Sequence, residues 1–103
     1  MDQDGNDHIG NGELHFARSA RRHKIGRARA RWVIANPFAI AEQIREDGRT
    51  IRIYLGDDHT GRPLEVGVGR VADGWLVVHV QDLRAKWRPR YETGKAAQEE
   101  ETP

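Results

Sequence analysis

Apolar and polar positions alternate most cleanly between Thr50 and Val80. Thr50-Ile-Arg-Ile-Tyr-Leu55 puts Ile51, Ile53 and Leu55 on one side and Arg52 and Tyr54 on the other, the period of two that a half-buried strand requires. Leu64-Glu-Val-Gly-Val-Gly-Arg-Val71 resumes the alternation with Leu64, Val66 and Val68 inward. Trp75-Leu-Val-Val-His-Val80 is an almost unbroken β-branched run, the composition of a buried strand. Asp47-Gly48 and Asp73-Gly74 have hairpin-turn composition, and residues 57–63 form a polar connection. Weaker strands are predicted around Ile40 to Ile44 and at Glu13-Leu-His-Phe16.

Between the first strand and Pro37 the period lengthens. Residues 17–24 read as a short polar helix. Ile25, Ala28, Trp32 and Ala35 then recur at spacings of three and four, and Asn36-Pro37 stops the pattern. The predicted fold is therefore α+β: a small antiparallel meander that includes residues 50–56, 63–72 and 75–81, with two N-terminal helices, near 17–24 and 26–36, packed on one face. Trp32, Ile51, Ile53, Val66, Val68 and Val78 are expected in its core. Residues 13–92 form one domain, and residues 1–12 and 93–103 are expected to be flexible acidic tails.

Charge sharpens this division. The net charge is only +1, yet residues 14–95 hold nine acids against all 17 Lys and Arg. From Leu14 to Ala41 there is no acid at all, against Arg18, Arg21, Arg22, Lys24, Arg27, Arg29 and Arg31. An ordinary solvated face mixes signs, so this run is a candidate for phosphate contact, unless acids from the sheet pair with it. A second basic segment follows the last strand, where Arg84, Lys86, Arg88 and Arg90 interleave with Trp87 and Tyr91. These two aromatics either stack on bases or cap the core.

The chain has no cysteine, which excludes disulfides and thiolate metal sites and makes the cytoplasm the expected location. No apolar run approaches the roughly 20 residues needed to cross a bilayer. Residues 2–13 place oxygen-bearing side chains at Asp2, Asp4 and Asn6, Ile9 at the eighth place and Glu13 at the twelfth, in the manner of an EF-hand loop. Asp7 stands where that loop needs its turn glycine, and no entering helix precedes it. His15, His23 and His59 lack ligand-type spacing with carboxylates, so neither a metal nor another cofactor is expected. Nucleotide hydrolysis and acyl transfer are disfavoured, because no phosphate-cradling glycine loop and no Gly-x-Ser-x-Gly elbow are present.

The order of elements, with Arg22-His-Lys-Ile-Gly26, Asn36-Pro37, Gly61-Arg-Pro-Leu-Glu-Val66, Val77-Val-His79 and the segment from Arg84 to Tyr91, resembles the BrnT-like branch of the RelE/ParE toxin superfamily across about residues 13–92. Small members of that group carry a His-Gly-Ile-Ser-like step and a strand-end Ser-Ala-Arg. This chain has His23-Lys-Ile-Gly26 and Asp82-Leu-Arg84 instead. The resemblance implies the toxin of a bacterial type II toxin–antitoxin system that cleaves messenger RNA, often on the ribosome, and whose cognate antitoxin covers the basic surface.

Metal-free RNA cleavage needs a base for the ribose 2′-OH, cations for the developing phosphorane and an acid for the leaving oxygen. His79, Arg84, Lys86 and Tyr91 are the catalytic candidates, although tyrosine is a poor base unless its pKa is lowered. The nucleic-acid-binding candidates are Arg18, Arg21, Arg22, Lys24, Arg27, Arg31, Trp87, Arg88 and Arg90. By simple alternation His79 shares a face with Trp75 and Val77, opposite Leu76, Val78 and Val80. It is then either a site residue beside Arg84 or a core histidine. Two other readings stay open: a non-catalytic RNA- or DNA-binding module, and an interaction protein whose basic surface meets an acidic protein partner.

Overall fold

A computed structural model describes residues 13–101. Five strands form one sheet in the order β1-β5-β4-β3-β2, where β1 is Glu13–Phe16, β2 Ala39–Ile44, β3 Thr50–Asp57, β4 Pro63–Val71 and β5 Gly74–Asp82. Strands β2 to β5 are the expected antiparallel meander, and the turn at Gly48 closes its first hairpin with φ of 86°. The sheet is nevertheless mixed, because β1 pairs parallel with β5, Glu13 opposite Gly74 and Phe16 opposite Val77. A parallel neighbour needs a long crossover, and the whole chain from Ala17 to Asp73 supplies it.

Among the described residues only one α-helix precedes the meander. Arg27–Ala35 forms α1, whereas the expected first helix is a single 3-10 turn at Arg18–Arg21. The second α-helix, α2, is C-terminal, Arg88–Glu101, and corrects the placement of both helices on one face. It also replaces most of the tail expected over 93–103. Its Ala, Gln, Lys and Glu are strong helix formers, and it is anchored at Tyr91, at Lys95 and by Gln98, whose Nε2 donates to the Pro37 carbonyl at 2.9 Å. Gly94 lets the helix lie against the Phe38 backbone, where a Cβ would collide. The expected N-terminal tail and the EF-hand-like pattern fall outside the described residues, apart from Glu13.

The two helices cover opposite faces. Ala30, Val33 and Ile34 of α1 pack on Tyr54, Leu64, Val66, Val68, Trp75, Val77 and Val80, while α2 brings Tyr91 onto Ala41, Ile51, Ile53 and Leu55. Tyr54, expected outward, is therefore fully buried, since alternation identifies two faces without saying whether one or both are covered. Trp32, expected in the core, is 47% exposed and meets His59 edge-on at 6.2 Å. The α1 sequence is apolar at most positions from Ala28 to Ala35, so two stripes compete, and the β-branched Val33 and Ile34 win the contact with the sheet. Val78 is only half-buried, for a reason that also places the candidate site.

Candidate cationic cleft

Strand β5 carries one residue more than its partner. Gly67 pairs with His79 and Val68 with Val77, leaving Val78 unpaired as a β-bulge. Beyond the bulge the parity of side chains reverses. Val80 returns to the α1 face with Trp75 and Val77, and His79 comes out on the opposite face, correcting the simple alternation. Backbone carbonyls around the bulge bind the segment after β1: the Ser19 hydroxyl donates to the Val78 carbonyl at 2.7 Å and the Ala17 N–H to that of Val77 at 2.9 Å. The chain then turns at Lys24, whose φ is 59°, and leaves Arg22 and His23 at the rim of the sheet.

Helix α2 packs mainly on β2 and β3. Beside it lies an open cleft of about 350 Å³ lined by Ser19, Arg22, His23, Gln43, Arg45, Ile51, Val78, His79, Gln81 and Arg84. No acidic side chain among the described residues lines it. The acid beneath is Glu65, completely buried, whose Oε1 accepts from Arg84 Nη2 at 2.7 Å and Nε at 3.0 Å and from Gln81 Nε2 at 3.1 Å, while Oε2 accepts the Arg84 backbone N–H at 2.9 Å. His79 Nε2 stands 3.3 Å from Oε1, within ion-pair distance but without the alignment of a hydrogen bond. Burial alone would raise the Glu65 pKa. The His79, Arg84 and Gln81 contacts outweigh it and bring the carboxyl from 4.5 down to about 2. Glu65 is thus a fixed negative charge that holds Arg84 and faces the His79 ring.

Gly67 makes this arrangement fit. A Cβ there would stand 2.6 Å from His79 Cε1 and 2.8 Å from Nδ1, so the imidazole occupies the space a side chain would take. Gly67→Ala is expected to push the ring aside at a cost of about 1–3 kcal/mol. The imidazole 15N and Cε1–H resonances report it directly, and an unmoved His79 spectrum in a normally folded variant would contradict the contact.

The expected site residues divide. His79, Arg84 and Arg22 meet in the cleft, and Arg18 and Arg21 are exposed on the adjacent 3-10 turn, with Lys24 just after it. Arg27 and Arg31 stack on Phe16 at 5.1 and 5.4 Å, and α1, which carries them, packs on the other face of the sheet. Lys86 is exposed over the half-buried Trp87, Arg88 lies near Glu92, and Arg90 is exposed. Trp87 and Tyr91 cap the α2 core rather than line the cleft. The Tyr91 hydroxyl donates to Asp57 Oδ1 at 2.5 Å, and burial followed by that carboxylate raises its pKa, the opposite of what a base needs.

Sequence reasoning did not single out Glu65, Arg45, Gln43 or Gln81, and did not place His23 among the candidate site residues. The available signal was an acid inside the apolar run Leu64 to Val68, two places before a glycine. Among the described residues no group of three His, Asp or Glu side chains is placed to hold a metal ion, and no helix is long and apolar enough to cross a membrane. Compared with known proteins, the chain matches no family model, no curated protein and no solved structure.

Proposed function

We propose that this chain is a RelE/ParE-like toxin of a type II toxin–antitoxin system, a metal-independent endoribonuclease that cuts messenger RNA in the cleft between Arg22, His23, Arg45, His79 and Arg84. The observation that carries the reading is a cleft with no acidic lining among the described residues, in which two histidines and three arginines converge over a buried carboxylate. Arginines hold the phosphate on either side of the scissile bond. His79, backed by Glu65 and seated on Gly67, takes the proton of the 2′-OH as that oxygen bonds to phosphorus. The bond from phosphorus to the 5′-oxygen breaks, and protonated His23 across the cleft supplies the proton that the leaving oxygen needs. The products are a 2′,3′-cyclic phosphate and a 5′-hydroxyl. Arg84, fixed by Glu65 and its own backbone bond, meets the charge that grows on the phosphorane without reorganising. A cognate antitoxin would silence the protein by covering the cleft.

Inducible expression in a bacterial host, with growth and messenger-RNA integrity followed, tests the proposal together with purified protein incubated with RNA in chelator. Growth arrest and cyclic-phosphate ends are expected. Affinity should fall by about tenfold or more between roughly 50 and 200 mM salt, because a few arginine–phosphate contacts release counterions. Intact RNA and normal growth would refute the ribonuclease. Salt-sensitive RNA binding without cleavage would leave a non-catalytic RNA module, and no RNA binding would leave an acidic protein partner.

A further inference from the structure

The cleft continues into a second cavity. About 250 Å³ of space lies along β3, β4 and β5 on the same face, lined by Arg45, Arg49, Thr50, Ile51, Gly69, Arg70, Val71, Leu76 and Val78, and it shares Arg45, Ile51 and Val78 with the cleft. Its character differs. The floor is aliphatic, from Ile51, Leu76 and Val78, and it is flat at Gly69, which presents no side chain. Arg45 has no ion pair among the described residues, and Arg49, 79% exposed, faces only Asp47 at 3.8 Å. The Arg70 guanidinium is engaged on the Trp75 ring at 4.9 Å and leaves the rim to those two arginines.

We propose that this cavity receives a nucleobase of single-stranded RNA next to the scissile phosphate, with Arg45 holding the phosphate between the two sites; the inference rests on the RNA reading of the cleft above. An aliphatic floor adjoining a cationic cleft suits an uncharged planar ring attached to a phosphate chain, since the ring loses water against the floor while its backbone stays beside arginine. Its continuity with the cleft fixes the spacing: a strand whose phosphate meets Arg84 and His79 brings its neighbouring base over Ile51 and Val78. Contacts of this kind read the π-face rather than the base edge, so the pocket accepts any base and sets the orientation of the strand. His79 then meets the 2′-OH on one side of a single phosphate.

Gly69 offers the direct test. An added Cβ meets only Ile51 Cγ2 at the ordinary distance of 3.5 Å, so a larger side chain fits the backbone and fills the pocket. The probes are fluorescent decamers of rU and rA, blocked at every 2′-oxygen by methylation, and inorganic polyphosphate as a base-free polyanion. Gly69→Leu is expected to weaken both decamers by about tenfold, the loss of one base's apolar contact with the floor, and to leave polyphosphate binding unchanged. Arg45→Glu is expected to weaken all three. Leu76→Gln, which makes the floor polar without filling it, should repeat the Gly69→Leu pattern and covers the case in which that variant folds poorly. Methyl resonances of Ile51, Leu76 and Val78 should shift with the decamers and not with polyphosphate. Decamer affinity equal to wild type in both pocket variants overturns the proposal, as does a wild-type protein that binds no decamer. RNA that binds with the expected Gly69 dependence but is never cut refutes the ribonuclease and leaves the base pocket standing.

Discussion

Replacing His79 by alanine is expected to lower RNA cleavage by about 10²–10⁴-fold, the usual worth of a positioned general base, with RNA affinity nearly unchanged. The split follows from the geometry. The ring is only 22% exposed, so it would contribute little surface to a bound strand, and the substitution leaves in place the arginines proposed to hold the phosphate. The loss therefore falls on kcat, with KM little altered. Added imidazole should restore part of the rate by entering the space vacated above Gly67, which separates a missing base from a collapsed fold. Glu65→Gln belongs to the same experiment as a positioning change: the ring keeps its seat on Gly67 but loses the carboxylate behind it. A smaller fall in kcat at unchanged KM is expected there. Full activity in His79→Ala would remove the histidine from the chemistry and shift the base to His23.

Acid should unfold the protein through Glu65. Its carboxyl ionises with a pKa of about 2 in the fold against an ordinary 4.5, so the folded state resists the proton that the unfolded chain accepts. The stabilisation is complete above about pH 4.5 and is lost as the pH falls through 2. At about 1.4 kcal/mol per pH unit it amounts to about 3 kcal/mol, a large share of a small domain's stability. Asp58 acts in the same direction. Burial would raise its pKa, but the Thr60 hydroxyl, the Arg62 N–H, the Arg29 guanidinium and the Thr60 N–H together hold it well below the usual carboxylate range. Urea unfolding at intervals from pH 7 to pH 2.5 measures the effect. Glu65→Gln should be less stable at pH 7 by about 2 kcal/mol, because it strips a buried partner from an Arg84 that remains 43% exposed and can regain water. Its stability should then decline less below pH 4.5 than that of the wild type. Parallel pH curves for the two proteins would show that Glu65 is not the group that acid attacks.

The sequence by itself determined the local elements. Five strands, the hairpin turns at Asp47-Gly48 and Asp73-Gly74, the stop at Asn36-Pro37 and the cationic character of the middle of the chain all follow from residues within a few places of one another. Turn chemistry and a period of two need no distant partner to act. The folded structure alone decided how those elements meet. No residue type announces the bulge at Val78, yet one unpaired residue moves His79 to the opposite face, because strand parity is counted and one extra residue inverts everything after it. Glu65 reads in the sequence as an outward polar position; it is buried because Arg84, nineteen residues further along the chain, folds back over it. The acidic C-terminal segment reads as a solvated tail, since it carries no large apolar residue to bury. It is a helix because Tyr91 and Lys95 reach Asp57, a contact across more than thirty residues. In each case the deciding energy is a long-range pairing or burial, which depends on which surfaces the fold brings together and leaves no periodic trace in the chain.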